Sequence, residues 1–317
     1  MKTIAVLLTV FNRKDKTLQC LKRLYDLLPL DGYQVDVYLT DDGCTDGTPE
    51  AVSEQFPQVN VIHAKGDLFW NRGMWTAWDT AAKAKDYDFY LWLNDDTFVY
   101  GNMLKVLTDA AVETNEKAII VGATEATNHS KITYGGRLRG GIIPKPNGKL
   151  IPVDYFNGNI VLIPRAAYNV LGNLDFYFTH SKGDFDYGMR AKKAGVAMYQ
   201  AGEILGECDE HPTLDKWCNP DVPFAQRWKM LNRPNGMPPK ETFHLDKRHK
   251  GLVTASFHYF TIYLRCLQSV LLHEHRTARR HHYRVDDELL RGILLQRVGN
   301  SQDSSLAPLH VHYQRPV

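Results

Sequence analysis

Two adjacent carboxylates, Asp95 and Asp96, close the apolar run Phe89–Leu93 in the segment LWLNDDT, and a second adjacent pair, Asp41-Asp42, closes the run Val35–Thr40. Paired acids after a strand offer oxygen ligands to a hard cation such as Mg²⁺ or Mn²⁺, which completes its shell with substrate phosphates. The same dipeptide can equally close a turn through its own side-chain hydrogen bonds. Two such pairs on one sheet would bring four carboxylates to a single edge, and that argues for diphosphate chemistry. A third acidic segment, GDFDYGMRAKKAG, opens a helical pattern with Asp184. An acid there suits either removal of a proton from an attacking hydroxyl or the first turn of a helix. Asp186, two residues on, points elsewhere if the segment is helical.

The elements that must position these acids follow from periodicity. Short apolar runs alternate with amphipathic stretches over the first 122 residues, the pattern of βαβ units and a mostly parallel sheet. Strands are expected at Ile4–Val10, Val35–Thr40, Val59–His63, Phe89–Leu93 and Ala118–Gly122. Helices are expected at Lys16–Leu28, stopped by Pro29, at Thr48–Phe56 with Pro49 in its first turn, and at Trp75–Ala84 and Met103–Val112. In such a sheet ligands bind at the carboxyl ends of the strands. Beyond Gly122 the Gly- and Pro-rich connections predict a mixed sheet, with strands near Lys131–Tyr134, Asn159–Pro164 and Val196–Gln200. Helices are expected there at Arg165–Leu171, Asp184–Lys193 and Phe224–Leu231.

With these segments in this order, the chain resembles the family-2 glycosyltransferases of the GT-A fold, a Rossmann-like α/β architecture. In that family a DDGSTDGT-like segment contacts the nucleoside and a DxD-like segment binds metal and donor. The matching segments here read DDGCTDGT and NDDT. LLTVFNR, GDLFWNRGM, FNGNIVLIPR and GDFDYGMRAKKAG agree in sequence order, so that the resemblance covers roughly residues 3–210. It implies an inverting transfer of a sugar from a UDP- or dTDP-linked donor to an acceptor hydroxyl, with Mn²⁺ or Mg²⁺ as cofactor. Carried over by position, Thr9, Phe11, Asn12, Arg13, Asp41, Asp42, Gly66, Trp70, Asn71, Arg72 and Asp95 would face the donor, with Asp41 accepting from a pyrimidine N–H. Asp96 would bind the metal, joined by His211 in ECDEHP, although Asp209 or Glu210 could take that part. Asp184 would be the base, while Gly183 departs from the Glu that relatives carry there. Asn157, Gly158, Asn159 and His180 would line the acceptor side. Core packing remains an alternative for Phe11, Trp70 and His180, and Arg72 could be a surface cation.

The resemblance divides the chain into a catalytic domain at 1–235, with a nucleotide-sugar half (1–122) and an acceptor half (123–235), and a helical extension at 236–297. Residues 298–317 lack periodicity and are expected to be a disordered tail. The net charge of +2 conceals a basic segment: residues 240–297 hold 11 Lys/Arg against 6 Asp/Glu, and 7 of the 13 histidines. Lipid head groups or a phosphorylated, lipid-linked saccharide acceptor suit that segment better than nucleic acid does. The aromatic stretch 251–272 carries His258, Arg265 and Gln268, so it reads as an amphipathic helix, packed on the domain or in peripheral contact with a membrane, rather than a span. A homodimer is compatible with all of this. Five scattered cysteines without CxxC spacing, and a first apolar run too short for a signal peptide, point to a cytoplasmic protein at the inner face of the plasma membrane. A sugar nucleotidyltransferase would need a Gly-rich loop after the first strand, where this chain has TVFNRKDK. A non-catalytic carbohydrate-binding protein would have no use for Asp96 and Asp184 together.

Overall fold

The computed structural model describes residues 1–210, 216–219 and 221–267. Its order begins β1 (Lys2–Val10), α1 (Lys14–Tyr25), β2 (Tyr33–Asp41), α2 (Thr48–Gln55), β3 (Val59–His63), α3 (Phe69–Ala84) and β4 (Phe89–Leu93). It continues with β5 (Phe98–Val99), α4 (Met103–Glu113), β6 (Ile119–Glu125), β7 (Ile132–Tyr134), β8 (Gly136–Arg137), β9 (Ile151–Pro152), β10 (Tyr155–Phe156), β11 (Ile160–Pro164) and α5 (Arg165–Leu171). The last elements are α6 (Gly183–Lys193), β12 (Met198–Glu207), α7 (Phe224–Leu231), α8 (Pro239–Lys250) and α9 (Leu252–Leu267).

The main sheet runs β3-β2-β1-β4-β11-β6-β12-β5. Its first four strands are parallel, and beyond β4 it is mixed because β11 runs antiparallel to both β4 and β6. That reversal matters for the site. Val10, Asp41 and His63 are in register at the carboxyl ends of β1, β2 and β3. Leu93 at the end of β4 pairs with Ile160 at the start of β11, so the loop entering β11 reaches the same edge as the loops leaving the parallel strands. The Asn94 N–H continues this ladder by donating to Asn159 O at 3.1 Å.

Alternation along β1 divides the core, as a period of two dictates. Ile4, Val6, Leu8 and Val10 face a cluster with Leu21 and Leu24 of α1 and Leu104 and Leu107 of α4. Ala5 and Leu7 face the opposite cluster, with Met74, Ala77 and Trp78 of α3. Trp78 is fully buried, and its ring centroid lies 5.2–5.5 Å from those of Tyr90, Trp92, Tyr168 and Tyr187.

Two helices differ from their expected bounds for identifiable reasons. Helix α1 ends at Tyr25 instead of Leu28, its last residues closing in i→i+3 bonds from the Leu27 and Leu28 N–H groups; a residue preceding proline disfavours helical dihedrals. Helix α3 starts at Phe69, six residues before Trp75, because a distant carboxylate holds its first turn, as described below.

Helix α8, polar along its length, is fastened by charge. The Asp186 carboxylate, fully buried in α6, receives Arg190 Nε at 2.9 Å, Arg248 Nη1 at 2.7 Å and His249 Nε2 at 2.8 Å. Burial alone would raise the Asp186 pKa, but His249, Arg190 and Arg248 outweigh it and hold it low. Helix α9 packs on α8, and His258 Nδ1 lies 2.7 Å from Asp246 Oδ2. No helix among the described residues is long and apolar enough to cross a membrane. The remainder of the extension expected at 236–297 and the tail expected at 298–317 lie outside the described residues. Asp186→Ala is expected to lower the unfolding free energy by about 3 kcal/mol in urea denaturation, because it leaves the half-buried Arg190 and Arg248 without their carboxylate.

Candidate active site

Loops from β1, β2 and β3 build one end of the sheet edge. Asp41 is buried, with Oδ1 accepting the Cys44 N–H at 2.8 Å and Oδ2 accepting from His63 Nδ1 at 3.0 Å. Burial pushes its pKa up, but these two donors more than compensate, and it stays ionised below the usual carboxylate range. Asn12 adopts a left-handed conformation and accepts the Thr45 N–H at 2.7 Å, joining the β1 and β2 loops. Phe11 beside it is 52% exposed, which excludes core packing. At Gly43, with φ of +73°, a Cβ would come within 2.8 Å of the Gly66 backbone nitrogen, so the two loops touch backbone to backbone.

The acids after β4 share one cation. Arg13 Nη1 donates to Asp95 Oδ1 at 3.2 Å and to Asp96 Oδ2 at 2.7 Å. Asp95 also accepts from Thr17 Oγ1 at 3.3 Å and is buried, whereas Asp96 is partly open to solvent. Burial drives the Asp95 pKa up to about 7, with Arg13 opposing and Asp96 adding to the rise. Cys208, at the end of β12, lies 3.9 Å from Asp96 Oδ1, and burial together with Asp96 pushes its thiol up to about 12.

Helix α3 enters this edge through Asp42, whose Oδ1 accepts the Leu68 N–H at 3.0 Å and Oδ2 the Phe69 N–H at 2.8 Å. A helix begins with unpaired N–H groups, and a carboxylate there satisfies them and complements the dipole. Asp42, expected toward the donor, thus grips the protein's own backbone. Trp70 donates its indole N–H to Asn94 Oδ1 at 2.7 Å, and its ring stands edge-on to Trp92. Thr9 is nearly buried and packs on α3, where a Cβ at Gly73 would come within 2.1 Å of its hydroxyl.

Asn71 and Arg72 depart from the donor-facing role expected of them. Asn71 is fully buried and donates to Asp175 O at 2.9 Å and Phe178 O at 2.7 Å, so it ties α3 to the loop before α6. Arg72 lies over the Phe176 ring, 4.9 Å from its centroid, with Nε donating to Phe176 O at 3.1 Å. One turn of α3 separates this contact from the nucleotide-side loops.

Asp184 stands in the first turn of α6 and is half-buried. Its Oδ2 accepts the Gly158 N–H at 3.1 Å and its Oδ1 the Phe185 N–H at 2.8 Å. Desolvation outweighs these bonds and the nearby Arg137, and raises its pKa to about 6. Gly158 must lack a side chain, since a Cβ would come 2.6 Å from the Trp70 ring. Its neighbours anchor the same loop: Asn157 Oδ1 accepts from Arg137 Nε at 2.8 Å, and Asn159 Nδ2 is 3.5 Å from both Thr97 Oγ1 and Cys208 Sγ. His180 Nδ1 accepts the Trp70 N–H at 3.4 Å, and its ring meets Phe69 edge-on.

Cys208 and Thr17 belong to this constellation although no motif singled them out, and they are joined by Asn94, which opens the NDDT segment, and by Arg137. Arg137 had a visible cue in the loop YGGR, and Cys208 stands beside the acidic DEH run. His211 lies outside the described residues. Its alternatives are committed elsewhere: Asp209 accepts the Thr127 N–H at 2.9 Å, and Glu210 pairs with Lys131.

Gly183, the departure from the family pattern, has a steric cause, since a Cβ there would lie 1.7 Å from Asn71 Oδ1. Gly183→Ala should therefore cost about 1–3 kcal/mol in thermal or urea unfolding, the usual penalty for an overpacked interior.

Residues 5–172, more than half of the chain, match the family described as Glycosyl transferase family 2. Among solved structures, S. aureus TarS 1-349 in complex with UDP-GlcNAc aligns with a TM-score of 0.52 at 12% identity, over 85% of this chain and 89% of that one. The same TarS fragment in complex with UDP gives 0.50 at 14% identity, with the same shares covered. A structure described as S. aureus TarS gives 0.50 at 14% identity, over 81% of this chain and 44% of that one. No curated protein matches the chain in sequence. The fold is thus of the GT-A type, and the chain belongs to glycosyl transferase family 2.

Proposed function

We propose that this glycosyltransferase moves a sugar, with inversion, from a nucleoside-diphosphate sugar to an acceptor hydroxyl. The observation that carries the reading is the single edge shared by Asp41, Asp95, Asp96 and Asp184, where Asp41 is held low by its donors while burial raises Asp95 and Asp184. Asp41, ionised and framed by exposed Phe11 and Asn12, suits a pyrimidine ring whose N–H it accepts while the aromatic ring stacks. UDP and UDP-GlcNAc in the TarS complexes support a uridine donor for a chain of this fold.

Asp95 and Asp96 suit a divalent cation, Mn²⁺ or Mg²⁺, because the pair already draws a positive group, Arg13, onto both carboxylates. Such cations need only one or two carboxylates when diphosphate oxygens complete the shell. A bound cation would stabilise charge on the departing diphosphate. Arg13 is placed to hold the phosphates alongside it, and Trp70, pinned by Asn94, forms the floor under the donor sugar.

In the transfer, the acceptor oxygen forms a bond to the anomeric carbon as the carbon–oxygen bond to the diphosphate breaks. The diphosphate leaves with that electron pair, and the hydroxyl proton passes to Asp184. The two backbone N–H groups on Asp184 fix its carboxylate, and partial burial gives it a basicity suited to this step. Gly158 binds it directly and, with Asn157, Asn159 and His180, is assigned to the acceptor side. We further propose that the product belongs to cell-surface polysaccharide, and that α9 brings the enzyme to the membrane through Leu252, Val253, Phe260 and Leu267, all exposed.

Nucleotide-sugar consumption in the presence of an acceptor tests the reading. Asp184→Asn should lower turnover by about 10²–10⁴ while the UDP dissociation constant stays within error. A variant of near wild-type activity removes Asp184 from the base role. The pH profile gives a second check: above about 6 the carboxylate is free to accept the proton, and below it the protonated acid cannot. The wild-type kcat/KM should thus fall about tenfold per pH unit on the acid side and level off above.

A further inference from the structure

On the flank of α3 away from the nucleotide loops, Arg72, Phe176, Tyr177, Lys240, Glu241 and Tyr263 line a groove of about 730 Å³. That volume lies within the range of small-ligand sites. Glu241 anchors its wall from α8. Its Oε1 accepts the Thr179 N–H at 3.2 Å and the Thr179 hydroxyl at 2.7 Å. Its Oε2 is equally buried and has no hydrogen-bond partner among the described residues, although the residue is only 9% exposed. A buried carboxylate oxygen without a donor is costly, so the site calls for a ligand that donates hydrogen bonds.

The remaining walls define that ligand. Arg72 covers one face of Phe176 and His244 stacks on Tyr177, yet the two rings remain 42% and 45% exposed, and aromatic surface left open in a groove favours the C–H face of a ring. Arg72 uses Nε on Phe176 O, and its two terminal nitrogens make no hydrogen bond among the described residues. Lys240 is exposed at the rim. One bare acceptor and several bare donors beside aromatic walls match a polyhydroxylated ring, whose hydroxyls both donate and accept. A free phosphate fits less well, since the Glu241 oxygen would repel it.

The groove is also joined to the catalytic loop. Thr179, held by Glu241, precedes His180, and its carbonyl accepts the Asn71 N–H at 3.1 Å. We propose that this groove is a saccharide subsite that holds a sugar ring of the acceptor other than the one that reacts. The assignment rests on the acceptor side of the reading above, and it adds a specificity role for Arg72, Phe176, Lys240 and Glu241.

Saturation-transfer NMR on the full chain with four probes, methyl α-glucoside, methyl β-galactoside, methyl α-rhamnoside and methyl β-N-acetylglucosaminide, tests it. At least one glycoside should bind, and its signal should persist under saturating UDP. Phe176→Ala and Lys240→Ala, both surface substitutions checked for an unchanged melting transition, should each weaken that glycoside by about tenfold or more. Glu241→Gln, which keeps the acceptor toward Thr179 and turns the bare oxygen into a donor, should weaken it as well. The inference is overturned if no glycoside binds, if UDP displaces it, or if Phe176→Ala and Lys240→Ala leave its affinity unchanged. Absence of UDP binding would instead count against the donor reading, since the glycoside signal is read independently of it.

Discussion

The carboxylate of Asp42 receives the Leu68 and Phe69 N–H groups at 3.0 and 2.8 Å, and in doing so sets where α3 begins. That start decides what every residue of the helix faces. Trp70 comes under Gly158 and against Asn94, Asn71 reaches the Asp175–Phe178 loop, and Gly73 lies against Thr9. A shift of one residue would turn each of these by about 100° around the helix. The loop before α6, and therefore Asp184, is positioned through Asn71. A single bidentate contact thus couples the nucleotide side of the edge to the catalytic side.

Around this frame, Asp41, Asp95 and Asp184 behave as three different groups because their surroundings differ. Asp41 has two donors and stays ionised. Asp95 is buried beside another acid and rises to about 7 despite Arg13, while desolvation raises Asp184 to about 6 against two backbone donors. Separating carboxylates in this way is how one site can bind cations and move protons near neutral pH. The steric economy is equally specific. Gly43, Gly73, Gly158 and Gly183 each stand where a Cβ would strike a neighbouring loop or side chain, so the glycines of the motifs record close approach.

The alternation of strands and helices in the first 122 residues was legible because fully buried strands such as Phe89–Leu93 are continuous apolar runs. The acidic pairs were legible because strand ends are marked by the change from apolar to acidic residues. What escaped depends on partners distant in sequence. The start of α3 rests on Asp42, 27 residues away from Phe69. Asn71 and Arg72 stood in a motif that suggested a donor contact, yet their side chains turn toward residues 175–178, more than a hundred positions later. Gly183 departs from the family pattern because Asn71 occupies the space a side chain would need. Helix α8 has little apolar periodicity and owes its place to Arg248 and His249 on Asp186, a cluster no local pattern announces.

Under the function proposed above, the strand-end carboxylates bind a nucleoside diphosphate together with a divalent cation. Isothermal titration of UDP into the wild-type chain and Asp96→Asn, each with Mn²⁺ and with excess chelator, tests it most directly. Binding by the wild type is expected in Mn²⁺, with at least a tenfold loss, about 1.4 kcal/mol, on chelation or on substitution. Equal affinity in chelator and in Mn²⁺ would contradict it.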